Sequence, residues 1–180
     1  ATTFAHAQRS ATPPERIRLA EGFKIELIYS VPRDDKGSWV AMCQDDKGRL
    51  IVSDQYGGLY RFPVPKAGKK VDPAAIEQIT WSGDQSKPRP NEPRPAAKAN
   101  DAAKAKLPHI GHAQGLCYAF DSLYVVVNSR ASSTGSGVFR LLDTDGDDQF
   151  DKVVTIKKLA ATGGEHGPHA ILPAPDGKHL

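Results

Sequence analysis

Three stretches of the chain share one pattern of apolar and polar positions. They are Trp39-Val-Ala-Met-Cys43-Gln-Asp-Asp-Lys-Gly48-Arg-Leu50-Ile-Val-Ser-Asp54, Gln114-Gly-Leu-Cys117-Tyr-Ala-Phe-Asp121-Ser-Leu123-Tyr-Val-Val-Val-Asn128 and His169-Ala-Ile-Leu-Pro-Ala-Pro-Asp176-Gly177-Lys-His-Leu180. Each predicts a strand, a tight Asp/Gly-type turn and a second strand. In the first two, a polar residue closes the second strand and a Gly-rich gap leads to a third, Gly58-Leu-Tyr-Arg-Phe62 or Gly137-Val-Phe-Arg-Leu-Leu142. Fourth strands are expected at Ile76–Trp81 and Lys152–Leu159.

Inner strands such as Leu123–Val127 are apolar on both faces, as a sheet sandwiched between two others requires. A repeating four-stranded antiparallel unit of this kind predicts an all-β chain forming a partial β-propeller, with about two blades and the start of a third. A ring needs at least about four blades. The chain is therefore expected to be the N-terminal part of a larger propeller. Because strands alternate direction, Asp54-Gln55-Tyr56, His109–His112, Asn128-Ser-Arg130 and Glu165–His169 are expected at one end. The Asp/Gly turns and the acidic loop from Asp143 to Asp151 fall at the other.

Composition refines this outline. Hydrophobic residues make up 39% of the 180, enough for one ordinary domain, and 14 prolines with 16 glycines favour turns over helices. Residues 65–108 hold seven of the prolines and nine Lys/Arg against five Asp/Glu, so the net charge of +3 is local. A nucleic-acid surface is not indicated. Residues 65–108, whose tract Lys87–Pro95 cannot donate a strand ladder, read as a Pro/Lys/Ala-rich surface insertion, with Ala96–Lys106 suited by composition to a short helix. Residues 1–7 end in Ala5-His6-Ala7, the small-x-small form left by signal-peptide cleavage, which points to export. Cys43 and Cys117 occupy matching repeat positions and are expected as separate buried thiols rather than a disulfide.

The stretch from His166 resembles the signature of the soluble glucose/sorbosone dehydrogenase family: a histidine, then about nine residues, then Pro175-Asp176-Gly177 opening a strand. That resemblance implies a six-bladed propeller that oxidises sugars with pyrroloquinoline quinone, and makes His166 the base that accepts a hydroxyl proton. A neutral imidazole suits that task near neutral pH. His169 follows closely and could adjoin or supplant it. His169, Asn128, Arg130 and His112 are the expected companions at the cofactor site. A closer likeness, over nearly all of Phe23–Leu180, is to large exported proteins of planctomycete-type bacteria called membrane-bound dehydrogenases. It rests on Phe23–Tyr29, Asp45–Asp54, Gln114–Asp121, Asp143–Asp147 and Glu165–His169. It implies a periplasmic or cell-surface location and a downstream helical-repeat or haem domain, although this chain carries no Cys-x-x-Cys-His haem motif. A sugar or polyol is the implied substrate. The competing reading is a non-catalytic propeller that binds a glycan or protein; oligomeric state is not readable.

Two metal readings remain. Asp143-Thr-Asp145-Gly-Asp147-Asp148-Gln-Phe-Asp151 resembles acidic calcium loops, with Asp143, Asp145, Asp147 and Asp151 as ligands, but Asp148 replaces the usual turn glycine and Val154 stands where a bidentate Glu belongs. The pairs His109/His112 and His166/His169 could chelate a transition metal only if each lies on a turn, and no third well-spaced ligand supports them.

Overall fold

A computed structural model describes residues 11–55, 57–79, 110–129, 135–160, 163 and 166–180. The first four strands, β1 (Trp39–Gln44), β2 (Arg49–Asp54), β3 (Leu59–Pro63) and β4 (Glu77–Ile79), form an antiparallel sheet in sequence order. β5 (Ala113–Ala119), β6 (Ser122–Val127), β7 (Gly137–Leu142) and β8 (Lys152–Lys158) repeat the arrangement in a second sheet. The protein is all-β. Helix is confined to one turn at Arg33–Lys36 and 3-10 turns at Pro14–Arg16 and Pro73–Ala75 among the described residues. No described helix is long and apolar enough to cross a membrane.

A bulge phases the first strand of each sheet. Trp39 pairs with Asp54 and Ala41 with Ser53, so Val40 is an extra residue; Ala113 pairs with Val127 and Gly115 with Val126, so Gln114 is extra in turn. A bulge re-aims the side chains before it. In β1 it turns Trp39 onto the outer face, where its ring stacks 5.4 Å from Tyr29 and 5.5 Å from Phe62. In β5 it lets both Ala113 and Leu116 enter the contact between the sheets.

That contact is the main core. Ile51, Leu59 and Ile79 of the first sheet meet Leu116, Leu123, Val125, Val127, Phe139 and Leu141 of the second. β6 is buried along its whole length, which explains its continuous apolar run. A second cluster, Val52, Phe62, Val71 and Ile76, covers the outer face of the first sheet with Ile28 and Tyr29 of the preceding segment. The Val71 N–H donates to the Ile28 carbonyl at 2.9 Å and fastens that segment. Within 65–108, residues 65–79 thus fold onto the first sheet. Residues 1–10, the Lys87–Pro95 tract and Ala96–Lys106 lie outside the described residues.

The turns differ in chemistry. Asp45 accepts from the Lys47 and Arg49 N–H groups, and Gly48 adopts φ 76° where a side chain would be strained. Between β5 and β6 the two turn residues are Phe120 and Asp121, at φ 49° and 51°. Both central residues are left-handed, the geometry that matches the twist of a two-residue hairpin.

The third repeat corrects the expectation of a further strand pair. Ala174 N–H donates to the His179 carbonyl at 2.8 Å and Gly177 N–H to the Ala174 carbonyl, so the turn forms. No strand accompanies it in residues 169–180. Pro173 and Pro175 flank Ala174 and remove the neighbouring donors that a ladder would use.

Candidate functional site

At one end of the molecule, the chain leaving β6 meets the chain approaching the third turn. Asn128 follows Val127 and is 3% exposed. Gly167 lies against its amide so closely that a Cβ there would overlap the Asn128 side chain. Two residues on, the Asn128 Nδ2 donates to His169 Nε2 at 3.3 Å. The His169 carbonyl in turn lies over Gly115 of β5, where a Cβ would overlap it. Two glycines, one in each partner, therefore permit the close approach. His169 is half-buried and His166, at the start of the turn, is exposed.

His112 opens β5 at the same end, in the left-handed conformation at φ 58° and half-buried after the buried Ile110 and Gly111. The structure thus brings Asn128, His166 and His169 to one junction and sets His112 at the same sheet end. Arg130, His109 and Glu165 lie outside the described residues. The first sheet has a matching corner. Asp54 accepts the Ser38 N–H at 2.9 Å, and Gly37 is packed against its carboxylate. A polar residue leaving the second strand of each sheet thus anchors a glycine-bearing segment. The glycines were the part that motif reading missed, and Gly167 within the His166–His169 motif was its one visible signal.

No family model matches the chain, and no curated protein or solved structure is similar to it.

The acidic loop between β7 and β8 lies at the opposite end. Asp143, Asp145 and Asp147 each offer a carboxylate oxygen, all within 4.8 Å of one another. The loop's own amides organise them: Gly146 and Asp148 N–H donate to Asp143 at 2.7 and 2.8 Å, and Gln149 N–H to Asp147 at 2.8 Å. Although desolvation opposes it, the N–H groups of Asp148, Gly146 and Asp147 hold Asp143 below the usual carboxylate range. Asp145 stands above it: the Asp147 N–H favours its charge, but the neighbouring Asp147, Asp151 and Asp143 charges outweigh that bond. Asp151 is engaged elsewhere, accepting from Thr144 Oγ1 at 2.6 Å.

Asp148 has a different occupation from the one its place in a calcium loop suggests. It holds φ 72°, and its carboxylate receives both ends of the Arg49 guanidinium at 2.6 and 2.7 Å. Lys47 Nζ approaches at 2.9 Å and Arg61 Nη1 at 3.1 Å, while Arg61 Nη2 donates to the Asp148 carbonyl. Arg49 also binds Asp45 at 2.7 Å and Arg61 binds Glu77. The Arg49 bonds, ahead of those from Lys47 and Arg61, drive Asp148 far below the usual carboxylate range. This cluster joins the two sheets at the end remote from the histidines.

Proposed function

We propose that the two sheets are consecutive blades of a β-propeller related to the glucose/sorbosone dehydrogenases, and that the end carrying His166, His169, Asn128 and His112 receives a sugar or polyol. The junction of Asn128, Gly167 and His169 carries this reading, because it fixes a histidine-bearing turn at the polar end of two apolar sheets. His166 is the proton acceptor in this proposal. Its exposure leaves the ring open to a hydroxyl, and imidazole is the side chain most often used as a general base. Residue Arg130 would line the same end on sequence grounds. An exported location, with a haem or helical-repeat domain as downstream partner, belongs to the same proposal through the resemblance.

A quinone such as pyrroloquinoline quinone would supply the hydride acceptor when bound. The groups gathered at the junction are an amide and two imidazoles, which suit hydroxyl and carbonyl oxygens. A cofactor bearing several carboxylates calls for cations, so these residues fit proton transfer and not the holding of the quinone.

Dye reduction by the chain with added quinone, across aldoses and polyols, tests the enzyme reading. Replacing His166 by Ala is expected to lower turnover by about 10²–10⁴-fold, the usual contribution of a general base. Undiminished turnover would remove His166 from the reaction. The same donor set also favours a second reading, a non-catalytic surface for glycan or protein, since amides and imidazoles hold sugar hydroxyls without chemistry. Calorimetric binding of a sugar without turnover is its signature. Calcium on Asp143, Asp145 and Asp147 completes the proposal, as hard oxygen ligands suit that ion. Heat released on calcium titration should vanish in Asp145→Ala; equal heats in both proteins would overturn it.

A further inference from the structure

We propose that Asn128 is a positioning residue that fixes the tautomer of His169, so that the histidine pair presents one proton acceptor and one hydrogen-bond donor to a hydroxyl-bearing ligand. The division of roles rests on the ligand site proposed above, whereas the tautomer itself does not.

The contact runs from Asn128 Nδ2 to His169 Nε2 at 3.3 Å. With the Asn128 amide nitrogen facing the ring, the contact is a hydrogen bond when Nε2 accepts, which places the ring proton on Nδ1. No other hydrogen bond to the ring is formed among the described residues. Isolated histidine favours the opposite tautomer. The arrangement is therefore imposed rather than intrinsic.

What imposes it is packing. Asn128 is buried, and its amide is confined on one side by Gly167, where even a methyl group would overlap it. The His169 backbone is confined by Gly115, over which its carbonyl lies. His166 sits three residues earlier at the exposed start of the same turn, and the hydrogen bond described for Asn128 runs to His169. The pair is thus differentiated: His166 is left to accept the proton of a substrate hydroxyl, and His169 donates from Nδ1 to a neighbouring oxygen. Two unconstrained imidazoles would have no reason to divide these roles.

Long-range ¹H–¹⁵N correlation spectra of the whole chain, at a pH where the imidazoles are neutral, read the tautomer directly. The wild-type protein should show His169 Nδ1 as pyrrole-type and Nε2 as pyridine-type. Asn128→Asp keeps the shape of the side chain but replaces the donor with an acceptor, and should exchange the two assignments. His166 resonances should stay in place in that variant. An Nε2–H tautomer for His169 in the wild type would overturn the proposal, as would an assignment unchanged by Asn128→Asp in a variant whose β-sheet circular dichroism is retained. Because the wild-type spectrum is decisive alone, a misfolded variant does not shelter the idea. If the tautomer is as stated and no sugar or polyol binds, the positioning role of Asn128 stands and the proposed ligand falls.

Discussion

Asp148 shows how much one side chain can hold. Its left-handed backbone is tolerated because a short polar side chain lessens the penalty that bulkier residues incur there. Its carboxylate gathers Arg49, Arg61 and Lys47, and Arg61 is only 4% exposed. Removing the charge takes one carboxylate from Arg49 and the buried Arg61, which keep Asp45 and Glu77 as their remaining partners. Asp148→Asn, which retains shape and left-handed tolerance, should lower stability by about 1–3 kcal/mol in urea unfolding, less than a fully buried pair because Asp148 is partly exposed. The depressed folded value means that this stabilisation is present above the ordinary carboxylate range near 4 and fades as pH falls through the depressed value. The acid limb of the wild-type stability curve should therefore flatten in the variant. Nothing in the sequence announced this role. Arg49 lies 99 residues away, and within its own loop Asp148 registers only as a poor substitute for glycine.

Elements were more legible, because a strand's periodicity is local and a turn's chemistry is written in adjacent residues. The alternation through Gly137–Leu142 matches its buried Gly137, Phe139 and Leu141, and the unbroken apolar run of β6 signals burial on both faces. The bulges were not legible, since Val40 and Gln114 become extra only through pairing with the neighbouring strand. The histidine motif is visible in the sequence, whereas its seat on β5 is not. That seat depends on Gly115, whose missing side chain gives no hydrophobic signal. Gly115→Ala should lift the turn away from the sheet: backbone amides of residues 169–172 should exchange faster by hydrogen-exchange mass spectrometry, with a stability loss of about 1–3 kcal/mol typical of overpacking. Exchange in β7 should change little, and equal exchange at the turn would contradict the close contact.

Across the whole molecule, the core between sheets is the main source of cohesion. Phe139 is fully buried at its centre. Phe139→Ala should cost about 3–5 kcal/mol by the loss of buried surface and the cavity left behind, whereas truncating the exposed Ile156 on β8 should change stability by no more than about 0.5 kcal/mol. The same packed interface suppresses thiol chemistry. Burial, ahead of the nearby Cys117, pushes the Cys43 thiol up to about 12. Raised in the folded state, it contributes stability below the unfolded thiol range near 8.5 that is lost as pH climbs toward 12. Alkylation of Cys43 in the native protein at pH 8 should consequently be far slower than in urea, as followed by mass spectrometry; equal rates would mean the thiolate forms freely.

The clasp around Asp148 also makes the molecule mechanically lopsided. Three cations grip a loop at one end, and at the other, among the described residues, an amide–imidazole bond and the fit of two glycines hold the turn in place. Salt weakens the first kind of hold more than the second. Raising ionic strength should thus shift the weakest point of the assembly from the histidine end toward the acidic loop, so that a protease probing transient openings would change its first cutting site with salt alone.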